Sequence, residues 1–412
     1  MSTALMFINP FLSHIKPNIS LVKELVKQGE HIIFFTTKEF SSLVSEITNV
    51  EVYPEREDLF DWGIEVKIES FDEAIKKILL YYERFLTGHF KFLQEFASEK
   101  MKQYRPDYII YDYFDAAWAK FAAIGEHIKY ISSSPTYAIN SKIFEFAPHD
   151  FIKYVWRIPD SLPIFKSNKS VRNFASLIEH RICHQFGLSE FKLFEIGNSP
   201  YLNIIHTSRS LQPYAALFDS TYCFSGYEVD WKTNHQMDII LSEDKPVVCF
   251  ALGSTIRSHD PELCRLCIEA LGDADVQVVM SIGRYISVGD LGCEIPKNFI
   301  VRAFIPQFEV LRHSDIFITH AGQNSVNEAL LNGVSLVCIP IQTDQFINAK
   351  VVVEKGAGIC LERQGITANK IKYAVERLLA SGTARQNSSA MGYALMNSGG
   401  SYRAAQNILR LK

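Results

Sequence analysis

Two histidines stand where strand-like runs give way to helices, which is where a chain of this kind can do chemistry. The first stretch, Asp315 to Thr319, reads as a buried strand and runs into His320-Ala321-Gly322, then into a segment whose apolar positions Val326, Ala329 and Leu330 fall at helical spacing. Gly333 closes that helix. A strand, a short loop with glycine and a helix N-terminus together make an anion site, because unpaired backbone N–H groups and the positive end of the helix dipole converge on one spot. A phosphate suits it. The second histidine, His14, lies in a segment from Asn9 to Lys16 that reads as a loop, between the strand-like Ala4 to Ile8 and a helix expected from Pro17 to Gln28 and closed by Gly29. Asp112 ends another strand-like run that begins after Pro106. Ligands of open parallel sheets bind at the carboxyl ends of strands, and parallel pairing could bring His14 and Asp112 together there. A nearby helix N-terminus disfavours imidazolium, so His14 should stay neutral and able to accept a proton. Asp115 is a near competitor for the carboxylate role, whereas Asp107 fits as a turn residue.

Three blocks then carry a resemblance. Phe304-Ile305-Pro306-Gln307, His320-Ala321-Gly322-Gln323-Asn324-Ser325 with Glu328 three residues on, and Asp344-Gln345 stand in an order and at spacings that resemble the nucleotide-sugar signature of the UDP-glycosyltransferases. They are most like the bacterial branch acting on macrolides, flavonoids and similar small hydrophobic molecules. The resemblance implies that His320 and the Asn324-Ser325 pair hold the diphosphate, Glu328 the ribose hydroxyls, and Asp344 and Gln345 the transferred sugar. Gly253-Ser254 would approach the diphosphate from a second turn, and Gln307 and Gly322 belong to the same donor site. Phe304 stands where a tryptophan commonly stacks on the base, and Gln323 replaces a tryptophan of plant relatives. Ser13 to Pro17 is similar to the segment in which His14 would be the catalytic base, with Lys16 where asparagine is more usual, and Asp112 matches the aspartate that hydrogen-bonds it.

Simpler roles compete. Ser325 and Glu328 also spell an S-x-x-E capping box, which needs no ligand. Cys264 and Cys267 form a C-x-x-C inside a helical pattern with no second pair at a zinc spacing, and His180 and His184 share a helix face without the glutamate of a zincin; both read as structural.

Length and composition, 412 residues with 47% hydrophobic and 21% charged, describe a globular chain with room for two domains. A formal charge of −4 offers no basic field for nucleic acid. No apolar stretch approaches the roughly 20 residues of a membrane span, and the N-terminus lacks the marks of a secretory signal, so a cytoplasmic location is expected.

The second half alternates strands and helices, which argues a parallel sheet with helices on both faces. The first half opens as a βαβ unit and carries two aromatic, helix-rich stretches: Leu59 to Lys102, with Phe60, Trp62, Tyr81, Tyr82, Phe85, Phe90, Phe92 and Phe96, and Tyr137 to Pro200, with Phe144, Phe146, Phe151, Tyr154 and Trp156. Such stretches could wall a hydrophobic acceptor pocket. Expected domains are residues 1–212 for the acceptor, a linker over 213–245, residues 246–397 for the nucleotide sugar, and a terminal helix in 398–412 that the family packs back on the first domain. The fold class is α/β. The resemblance implies the GT-B arrangement, two Rossmann-like parallel-sheet domains facing across a cleft, and an inverting, metal-independent transferase. It would need no cofactor, since the UDP-sugar is a co-substrate, and its other partner would be a small hydrophobic acceptor bearing a hydroxyl. A nucleotide-sugar epimerase on the same fold and a non-catalytic binding or helper protein are the rival expectations.

Overall fold

Short apolar runs such as TALMF and YIIYD become strands buried on both faces, as the inner strands of a parallel sheet must be. The computed structural model describes residues 2–54, 70–86, 88–113, 116–150, 162–229, 239–253, 260–342 and 344–411. They divide into two units, Met1–Glu228 with Ser398–Lys412, and Val229–Asn397.

The first unit contains β1 (Thr3–Phe7), α1 (Leu12–Lys27), β2 (His31–Thr36), β3 (Asn49–Val52), α2 (Phe71–Leu86), α3 (Gly88–Tyr104), β4 (Tyr108–Asp112), α4 (Ala117–Gly125), β5 (Lys129–Ser134), α5 (Asn168–Phe186), β6 (Asn203–Ile205) and β7 (Tyr222–Phe224). Its strands run in the order β3-β2-β1-β4-β5-β6-β7, every neighbouring pair parallel. Leu5 and Phe7 face one core with Ile109, Tyr111 and Trp118, while Ala4, Met6 and Ile8 face another formed with α1. That second core also receives Ala404, Ala405 and Ile408 of the helix Gly400–Leu409. The last strand, β7, lies in the stretch whose composition reads as linker, where Thr221 to Ser225 alone reads as a short strand.

The described aromatic residues of the two inserted stretches mostly pack inward. Tyr82, Phe90 and Phe144 are buried, and Phe144 stacks on Phe194 with ring centroids 4.7 Å apart. Phe146 is exposed. Phe60, Trp62, Phe151, Tyr154 and Trp156, like the side chain of Phe85, lie outside the described residues.

The second unit contains β8 (Val247–Ala251), α6 (Pro261–Leu271), β9 (Gln277–Ser281), β10 (Phe299–Arg302), α7 (Gln307–Leu311), β11 (Ile316–Thr319), α8 (Gln323–Leu331), β12 (Ser335–Cys338), α9 (Gln345–Glu354), β13 (Gly358–Cys360), α10 (Ala368–Leu379) and α11 (Gly382–Met396). The strand order is β10-β9-β8-β11-β12-β13, again all parallel. The helix Gly400–Leu409, α12, belongs to the first unit. Cys264 and Cys267 lie on the buried face of α6, where burial pushes the Cys264 thiol up to about 12 and that of Cys267 well above the ordinary thiol range, so both are core side chains. Among the described residues no helix is long and apolar enough to cross a membrane.

In both sheets the first strand is flanked by the second and the fourth. Chain progression therefore reverses between β1 and β4, and between β8 and β11, and each reversal opens a crevice at the strands' carboxyl ends. Asp112 closes β4 and His14 follows β1; Gly253 follows β8 and His320 follows β11. The topology thus gathers the chemically interesting residues into one crevice in each unit.

Candidate active site

In the first unit α1 begins at Leu12, not at Pro17, so His14 lies in the first helical turn rather than in a loop. Proline suits a helix near its start because its φ is already helical; Pro17 gives up one bond, that to the Ser13 carbonyl, and the helix continues through it. The turn thereby aims His14 back at β4. Its Nδ1 donates to Asp112 Oδ2 at 2.7 Å, and Asp112 is fully buried while the His14 side chain keeps 17% exposure. With Nδ1 carrying the proton, the neutral ring has its lone pair on Nε2. Phe11, just ahead of the helix, lies with its ring centroid 5.9 Å from that of His14.

Sequence reasoning missed Asn18. This buried side chain donates from Nδ2 to the His14 carbonyl at 2.8 Å. The spacing His-x-x-x-Asn was the available signal, since residues four apart share a helix face.

In the second unit His320 is buried, and burial pushes its imidazolium pKa down to about 4 against a backbone hydrogen bond at Ala251 that favours the proton. The ring is neutral at pH 7 and can serve a phosphate as a hydrogen-bond partner, not as a cation. Ala321 adopts a left-handed backbone, φ 62°, that side chains other than glycine seldom take. Asn348, a second residue that sequence reasoning missed, is fully buried and donates to the Ala321 carbonyl at 2.8 Å, holding that turn. Its signal was again a four-residue spacing, from Asp344, whose Oδ2 it meets at 3.3 Å. Gly322 has an ordinary φ of −62°, and its smallness is required by the histidine: a Cβ there would lie 2.5 Å from His320 Nε2. Gly253, in contrast, has φ 91°, which only glycine adopts without strain.

Gly322 is the N-cap of α8, with no side chain capping it. The start of α8, with the positive end of its helix dipole, suits an anion. Ser325 is the third residue inside the helix, so the capping-box alternative does not hold. Instead Gln307 Nε2 donates to Glu328 Oε2 at 2.7 Å and approaches Ser325 Oγ at 3.3 Å. Glu328 is buried and this amide orients its carboxylate. Asp344 stands at the N-cap position of α9 without a side-chain capping bond, and Gln345 Oε1 accepts from the backbone N–H groups of Ile341 at 2.8 Å and Gln342 at 3.0 Å. Any contact of Gln345 with a sugar must come from its amide nitrogen. Phe304 presents its ring to solvent, 70% exposed, in the loop leading to α7. The structure thus joins Gln307, Ser325 and Glu328 in one group, and His320 and Gly322 in another with Asn324 on the same helix turn. Ser254 and Asp115 lie outside the described residues.

Buried neutral histidines leave a thermodynamic mark. His206, in the first unit, is also held down to about 4, by burial that outweighs the opposing charge of Asp112. A folded-state pKa below the unfolded value near 6.5 contributes stability that is complete above about pH 6.5 and is lost as pH falls towards 4. Between pH 6.5 and 5 each ring should remove roughly 2 kcal/mol from the unit that carries it. Urea titrations should show midpoints falling over that interval, and less so in His206→Gln or His320→Gln. Midpoints that stay level in the unaltered protein would contradict the burial of both rings.

Comparison with known proteins agrees with this fold. Residues 227–392 match the family model for UDP-glucoronosyl and UDP-glucosyl transferases. The chain is 29% identical to the uncharacterized UDP-glucosyltransferase YojK of Bacillus subtilis, over 99% of this chain and 97% of that protein. It is 28% identical to the NDP-glycosyltransferase YjiC of the same organism, over 97% and 94%. Among solved structures it is similar to CalG4, the calicheamicin glycosyltransferase, with a TM-score of 0.74 at 25% identity over 100% of this chain and 98% of that one. The matched segment, the full-length relatives and the paired doubly wound sheets lead to one conclusion: the chain is similar to the UDP-glycosyltransferases along its whole length, has the GT-B fold and is a glycosyltransferase.

Proposed function

We propose that this glycosyltransferase moves a sugar, with glucose as the first candidate, from a UDP-sugar to a hydroxyl of a small hydrophobic acceptor of the natural-product kind, inverting the anomeric centre without a metal. The observation that carries this reading is the 2.7 Å hydrogen bond between His14 and the buried carboxylate of Asp112. His14 Nε2 takes the acceptor's hydroxyl proton as the oxygen forms its bond to the anomeric carbon. The bond from that carbon to the diphosphate breaks, and UDP leaves with the electron pair. Asp112 keeps the ring in the tautomer that can act as base and stabilises the imidazolium. A single displacement of this kind inverts the centre.

Diphosphate charge would be met by the start of α8, by neutral His320 and by the backbone at Gly253, an electrostatic role that needs no cation. The ribose suits Glu328, oriented by Gln307; the base suits the exposed ring of Phe304; the sugar suits Asp344 and the amide of Gln345. The name of the calicheamicin glycosyltransferase supports an acceptor of the natural-product class.

The test is a donor screen. Purified protein is given UDP-glucose, UDP-N-acetylglucosamine, UDP-galactose or TDP-glucose in EDTA, with and without phenolic and macrolide acceptors, and products are read by mass spectrometry. We expect a hexose-sized mass gain on an acceptor, largest with UDP-glucose. Donor conversion without acceptor would replace this reading with an epimerase, and donor binding without chemistry would replace it with a helper protein.

A further inference from the structure

Behind His14 runs a chain of buried polar groups that the reaction above does not use. Asn18 Nδ2 donates to the His14 carbonyl at 2.8 Å, Ser133 Oγ donates to Asn18 Oδ1 at 2.7 Å, and Ser133 Oγ meets His206 Nε2 at 2.9 Å. Ser133 and Asn18 are fully buried and His206 is 5% exposed. The direction of the chain is settled by counting protons. The Ser133 hydroxyl has one hydrogen, given to Asn18, so His206 Nε2 must carry its own and donate it to Ser133 Oγ. Three elements are tied in sequence by this means: the segment after β6, strand β5 and the first turns of α1.

The location is significant because Pro17 removes the helical bond that residue 17 would make to the Ser13 carbonyl, in the turn that carries His14. A base must be held to a fraction of an ångström, and that turn has lost part of its own ladder. Asn18 supplies a side-chain bond to the next carbonyl along and anchors it to β5. Ser133 pairs in register with Asp112 across the β4–β5 ladder. Both ends of the His14–Asp112 pair are therefore referred to the same residue.

We infer that Asn18, Ser133 and His206 are positioning residues for the base, fixing the backbone of His14 so that its ring keeps the Asp112 bond while Nε2 meets the acceptor. This inference rests on the role proposed for His14. It predicts an effect on turnover rather than on substrate affinity, because none of the three is proposed to touch donor or acceptor.

Ser133→Ala should lower kcat by about 10- to 100-fold, the scale of small misplacements of a reacting group, with KM for donor and acceptor within about twofold of the unaltered protein. His206→Leu should do the same, and combining the two should add little, since one chain is broken twice. His206→Gln, which keeps an N–H near the position of Nε2, should restore most of the kcat lost in His206→Leu. Asn18→Leu, tested alongside, breaks the chain at its other end. Near-UV circular dichroism and urea midpoints establish that each variant is folded. Folded Ser133→Ala and Asn18→Leu with unchanged kcat would overturn the inference, as would His206→Gln no better than His206→Leu. If His14→Ala itself retained turnover, the base assignment would fall first and this inference with it, a result distinct from intact turnover in the chain variants alone.

Discussion

His14→Ala lowers the rate of sugar transfer by about 10²–10⁴-fold, the usual contribution of a general base, while affinity for UDP, measured by isothermal titration calorimetry, stays within about twofold. The separation is expected because the groups proposed to hold UDP all belong to residues 253–345, on the other unit's sheet. Asp112→Asn should come close in severity for a different reason. An amide in place of the carboxylate can donate to Nδ1, which turns the ring to the tautomer with hydrogen on Nε2, where no lone pair remains to receive the acceptor's proton. Transfer at a near-normal rate in His14→Ala would remove this histidine from the mechanism, and near-normal transfer in Asp112→Asn would remove the carboxylate.

Gly322→Ala is expected to raise the dissociation constant for UDP by about 10- to 100-fold, the effect of losing one well-placed hydrogen bond to a charged group, with melting temperature little changed. The backbone at Gly322 is one that alanine adopts readily, so strain is not the cause. What changes is the place of the His320 ring, whose Nε2 would lie 2.5 Å from the new methyl carbon and must move. The ring then leaves the start of α8, where we place the diphosphate. Calorimetry with UDP reads the effect directly. An unchanged dissociation constant would show that the ring is not part of the donor site.

The strand, turn and helix around His320 were legible because each carries a local signal: an apolar run, a glycine, a helical spacing and a closing glycine. The alternation that builds the second sheet was legible for the same reason. At α1 the local signal misled, since Pro17 marks a helix start only when nothing upstream is already helical, and here Phe11 to Lys16 has begun the turn. At α8 the Ser325–Glu328 spacing fits a capping box, but Gln307, far away in sequence, claims the carboxylate. Strand β5 shows a further limit. Its inner end is Ser132, Ser133 and Ser134, a buried polar run without strand character, and the Ser133 hydroxyl is satisfied by Asn18 and His206. Those partners lie 115 and 73 residues away, and nothing local announces them.

The membership of α12 in the first unit has a consequence for biosynthesis. Residues 229–397 form an uninterrupted unit and can fold as soon as they emerge from the ribosome. The unit whose strands are made first cannot finish then, because one face of its sheet and α1 await Ala404, Ala405 and Ile408. The nascent chain must therefore carry an incompletely covered apolar surface, next to the helix that bears His14, throughout translation of the whole second unit. In this protein the half synthesised first is the half completed last.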